Sequence, residues 1–120
     1  MFTEEIIQQV WNDTAIPVEG YDAQSIRHDC CGAFIIRSEY GNANSPFGWE
    51  IDHVFPQSAG GDDYSPNLRA LNWKNNRAKG DDFPVYKVAV QAHKNSNIDV
   101  DKQFQVNDEL YATLRSRYGF

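Results

Sequence analysis

Between Gly48 and Asp81 the chain gathers residue types suited to phosphodiester cleavage. Asp52 stands beside His53; thirteen residues separate His53 from Asn67, eight separate Asn67 from Asn76, and Lys79-Gly80-Asp81 closes the run. A carboxylate and an amide supply hard oxygen donors, which suit Mg²⁺ or Mn²⁺ better than zinc. With Asp52 and Asn76 as metal ligands the coordination is incomplete and leaves places for water and phosphate oxygens, as a catalytic ion requires. An imidazole can be neutral at working pH and take a proton from an attacking water, so His53 is the candidate general base. The ion opposite it would stabilise the departing 3′ oxygen. Neighbouring strand residues point to opposite faces, so Asp52 and His53 can serve one phosphate only by a twist or bulge at a strand end, or by approaching from two sides. Pro56 places a strand end nearby.

The elements that must position these groups follow from pattern and punctuation. Trp49 to Val54 predicts a strand halted by Pro56, Gly60-Gly61-Asp62-Asp63 a turn-rich excursion, and Leu68 to Leu71 a returning strand. Asn72 is placed to cap a helix over Trp73 to Lys79, with Gly80 as its left-handed stop. Arg77 and Lys79 on that helix are candidates to hold a substrate backbone by charge-assisted hydrogen bonds, followed by Arg37 and Arg69 on strands. Glu50 shares strand parity with Asp52, and a structural hydrogen bond is its expected role.

Around this core, Thr3 is expected to cap a helix whose apolar stripe is Ile6, Ile7, Val10 and Trp11, with Phe2 stapled onto Ile7. Ser25 to Gly32 reads as irregular and Ala33 to Tyr40 as a strand. Val85 to Ala92 and Ile98 to Val106 predict a hairpin turning at Asn95-Ser96-Asn97, and Asn107 a cap for a last helix with Leu110, Leu114 and Tyr118 inward. Trp49, Phe55, Trp73 and Tyr86 are expected in the core, and His28 and His93 have no matching partners.

The ordered set Asp52-His53, Asn67 and Asn76, with Trp49, Glu50, Pro56, Gly60, Gly61, Asp63, Leu68 and Leu71 around it, resembles the HNH endonuclease family over about residues 48 to 81. The resemblance implies an α+β chain with a ββα-metal core. It also implies that the Asn67 amide ties the loop to the backbone and holds the catalytic histidine, and that cleavage leaves 5′-phosphate and 3′-hydroxyl ends. Asn76 stands where the family can carry its last histidine, which makes tight zinc or nickel binding less suitable. A single nuclease domain over residues 1–120 is expected, with a helix and strand extension over 1–47 and a hairpin and helix over 82–120.

Composition frames that expectation. The chain has 120 residues, 41% hydrophobic and 13% aromatic, enough for a core. Its net charge is −6, and residues 1 to 26 hold five acids and no base, leaving 12 acids against 11 bases in residues 27 to 120. A broad basic face is thereby excluded, and substrate contact is expected from the later part, with the metal adding local positive charge. The two cysteines, Cys30 and Cys31, are adjacent and read as reduced thiols, and no paired knuckles point to structural zinc. No apolar run approaches the ~20 residues of a membrane span, and no basic-headed leader is present, so a cytoplasmic protein is expected. No module for reading base sequence is visible, so DNA cleavage with weak intrinsic specificity is expected, with a protein partner or homodimer as possible company. The alternative is a non-catalytic HNH-like binding module that engages a basic protein or nuclease partner through the acidic N-terminal surface.

Overall fold

The computed structural model describes residues 1–120. Helix α1 (Glu4–Thr14) starts where the Thr3 hydroxyl accepts from the Ile6 amide, and its apolar stripe buries Ile7, Val10 and Trp11. Phe2 packs on the same cluster. Strands β1 (Ile16–Pro17), β2 (Ile26–His28) and β3 (Phe34–Ile36) form an antiparallel sheet in that order.

The centre is β4 (Trp49–His53) paired antiparallel with β5 (Leu68–Asn72), followed directly by helix α2 (Trp73–Lys79). The Asn72 side chain caps α2 by accepting from the Lys74 amide. Strands β6 (Val85–His93) and β7 (Ser96–Gln105) make an antiparallel hairpin with a register shift between Val88 and Val90. Helix α3 (Asp108–Tyr118) closes the chain, capped by Asn107 and burying Leu114. The architecture is therefore mixed helix and small antiparallel sheets, an α+β arrangement.

Two hydrophobic clusters lie on either side of the β4–β5 ribbon. Trp11 of α1, Ile35 of β3, Trp49 and Ile51 of β4 and Ala70 of β5 belong to one. Val54, Leu71, Val88 of β6 and Leu114 of α3 belong to the other. All five residues of β5 are buried, so the ribbon that carries the motif is enclosed by both halves of the chain.

Four local expectations are corrected. Ser25 to Gly32 is not wholly irregular, because Ile26–His28 pairs with both β1 and β3. The strand from Ala33 ends at Ile36, and Arg37–Glu39 turns as a 3-10 helix. Gly80 has φ 53° and ψ −128°, a glycine conformation but not a left-handed helical one. The hairpin turns at Lys94 and Asn95, one residue earlier than expected, with Ser96 already in β7 and Lys94 taking φ 55°.

Candidate active site

Asp52, His53 and Asn76 line one cleft of about 330 Å³ with Pro56, Arg77 and Asp81. Strand β4 supplies the first two and α2 the third. The ladder runs in register through His53, which pairs with Leu68, so no bulge turns it. His53 instead is the last residue of β4, where the strand stops and its side chain can share the cleft with Asp52.

Asn67 is fully buried and forms a clamp at the base of the loop. Its Oδ1 accepts from the Phe55 amide at 2.7 Å, and its Nδ2 donates to the carbonyls of Phe55 at 3.0 Å and Asp62 at 3.1 Å. The backbone two residues beyond His53 is thereby fixed to both sides of the 55–67 loop. Gly61 is required for that closure, since a Cβ there would collide with the Phe55 carbonyl oxygen.

Around His53 the structure adds a partner that sequence reasoning missed. Its Nε2 lies 2.8 Å from Asp63 Oδ1, and the Phe2 ring sits 5.8 Å from the imidazole. Nine residues separate Asp63 from His53, and only the loop closure brings them together. Asp63 carried no signal beyond its place among the family positions.

Asp52 is held more tightly than an open metal ligand was expected to be. It is 4% exposed, with Arg69 Nε 3.1 Å from Oδ2 and Lys79 Nζ 3.2 Å from Oδ1. Lys79 also donates to the His53 carbonyl oxygen at 3.3 Å. Burial pushes the Lys79 ammonium down from its ordinary value, and the Asp52 carboxylate pulls against that shift.

This changes three of the four expected substrate contacts. Lys79 is buried, with its ammonium aimed inward at Asp52, so it does not present a charge to a substrate. Arg69 is buried as well; it pairs with Asp52 and lies over the Tyr86 ring at 4.8 Å, with Nη2 unpartnered. Arg37 leaves the strand, lies over Trp49 and bonds Glu4 and Gln8 of α1. Arg77 alone keeps an exposed guanidinium at the cleft, beside Glu50 at 3.2 Å and above Trp73.

Asn76 and Asn75 separate cleanly on α2. Asn76 Nδ2 donates to Glu50 Oε1 at 3.1 Å, which leaves its carbonyl oxygen for another partner and gives Glu50 the structural role expected of it. Asn75 is fully buried: its Oδ1 accepts from the amides of Ala89 and Val90, and its Nδ2 donates to Asp29 Oδ2. Asp29, another residue that the sequence did not flag, also accepts from the amides of Cys31, Ala33 and Asn72. Burial pushes the Asp29 carboxyl up, against the pull of these donors.

The donor chemistry fits a hard divalent ion. Asp52 and Asn76 line one cleft, and each Asp52 oxygen retains a lone pair beyond its bond to a cation. No group of three or more His, Cys, Asp or Glu side chains is placed to hold a metal. No helix is long and apolar enough to cross a membrane.

No curated protein and no solved structure matches the chain. The family model described as HNH endonuclease does, over residues 45–85, a span that contains every residue lining the cleft. By that match the segment from residue 45 to residue 85 is similar to the HNH endonucleases.

Proposed function

We propose that the chain is a metal-dependent endonuclease that hydrolyses DNA phosphodiester bonds with weak intrinsic sequence specificity. The observation that carries this is the meeting of Asp52, His53 and Asn76 in one cleft, inside the segment similar to the HNH endonucleases. Asp52 and Asn76 would hold one Mg²⁺ or Mn²⁺. When bound, such an ion supplies charge stabilisation at the phosphate and the departing oxygen. His53 takes the proton of the attacking water, while Asn67 holds the loop that fixes the His53 backbone. Arg77 holds a phosphate of the substrate backbone from the rim. An arrangement of two strands and a helix around these groups supports the ββα-metal reading.

The non-catalytic alternative draws on the satisfied state of Asp52, whose two oxygens already meet cations. Weighing against it, the Asn76 carbonyl and the second nitrogen of His53 make no bond within the chain, although both residues sit at the cleft.

Cleavage of an end-labelled DNA duplex in Mg²⁺ tests the proposal. Asp52→Ala and Asn76→Ala are each expected to lower the rate by about 100-fold or more, in keeping with the several kcal/mol that a catalytic ion supplies. Cleavage that persists at the wild-type rate in EDTA would refute the metal requirement.

A further inference from the structure

We infer that Asp63 is a positioning residue for His53, selecting which ring nitrogen acts as the base. The inference rests on the endonuclease reading above. A carboxylate accepts hydrogen bonds and donates none, so at 2.8 Å from Asp63 Oδ1 the His53 Nε2 must carry the hydrogen. In the neutral ring this leaves the lone pair on Nδ1, which has no partner among the chain's own groups. Nδ1 is then the atom that receives the proton of the water.

The surroundings make this contact a built one. The residue before Asp63 is pinned twice: Asp62 Oδ1 accepts from the Tyr118 hydroxyl at 2.6 Å, and the Asp62 carbonyl accepts from Asn67 Nδ2. Gly61 closes the loop against Phe55. Phe2 lies against the imidazole, whose side chain is only 16% exposed. Asp63 itself is 64% exposed, and an exposed pair of this kind contributes little to stability. Its removal therefore leaves the fold standing and changes the ring.

The test joins two readouts on wild type, Asp63→Ala and Asp63→Glu. Nitrogen-15 NMR of the His53 imidazole, at a pH where the ring is neutral, should report hydrogen on Nε2 in wild type and a mixture of tautomers in Asp63→Ala. Plasmid nicking should show kcat lowered about 10- to 100-fold in Asp63→Ala with KM within about two-fold, as loss of alignment alone predicts. Asp63→Glu, which keeps the carboxylate, should recover the Nε2 tautomer and part of kcat. An unchanged tautomer in Asp63→Ala would overturn the inference, as would an unchanged kcat in an active enzyme. If wild type does not nick DNA, the endonuclease reading fails by itself, and the NMR comparison still decides whether Asp63 fixes the ring. A thermal melt of each variant separates unfolding from misalignment, and Asp63→Asn, which can offer either donor or acceptor, replaces Asp63→Ala if that variant does not fold.

Discussion

Asn67, Asp29 and Asn75 hold the site without touching it, each by saturating backbone groups that would otherwise be buried unpaired. Asn67 satisfies three such groups at the loop base, and Asn75 links α2 to β6 while Asp29 gathers the turn after β2. A buried donor or acceptor left without a partner costs about 1–3 kcal/mol, which is why two amides and a carboxylate rather than apolar side chains fill these places. His28 shows the opposite case. Its Nε2 is buried without a partner and its ring meets Phe34 edge-on at 4.6 Å. Burial pushes the imidazole below its ordinary value of 6.5, with Asp29 opposing. The folded chain then binds fewer protons than the unfolded one in mild acid, so this contribution to stability is present above 6.5 and is lost as pH falls through the depressed value. Urea denaturation at about pH 8 and about pH 5 should show a larger loss of stability for wild type than for His28→Phe. An equal loss in both would contradict the assignment.

At the scale of elements, α2 is docked on β4 by polar contacts: Asn76 to Glu50 at one turn, and Lys79 to Asp52 and the His53 carbonyl at the next. Removing one partner of a buried ion pair costs more than the pair contributes, because a charge is left uncompensated. Lys79→Ala is therefore expected to lower unfolding free energy by about 3 kcal/mol, the low end for such a loss since Arg69 still faces Asp52. A loss below about 1 kcal/mol in urea denaturation would mean that Lys79 behaves as a surface lysine. The sequence made the boundaries of these elements legible, since Thr3, Asn72 and Asn107 are caps and Pro56 is a stop. It did not reveal which way charged residues point. A seven-residue helix has too few turns to display an inner face, and β5 is buried throughout, so alternation could not mark Arg69 as internal. Strand β2 escaped notice because it is only three residues long and all three are half-buried, so no alternation marks it.

For the molecule as a whole, the motif ribbon lies between two clusters built from opposite ends of the chain, and both ends reach the site. Phe2 touches His53 from the N-terminal side; Tyr118 and Phe120 stack on Phe55, and Tyr118 also bonds Asp62. The segments outside the family match thus position the groups within it. Of the candidate site, Asp52, His53 and Asn76, which line one cleft, and Asn67, which clamps the loop, could be picked out by order and spacing along the chain. Asp63 and Asp29 could not, because their roles arise from loop closure and from a turn folded onto α2. Nicking of supercoiled plasmid tests most directly whether His53 is the base of a metal-dependent nuclease. Wild type in Mg²⁺ or Mn²⁺ should convert supercoiled to open-circular DNA, with EDTA abolishing the conversion and His53→Ala lowering it by about 100-fold or more. Equal nicking by wild type and His53→Ala, or none by wild type with either metal, would contradict it.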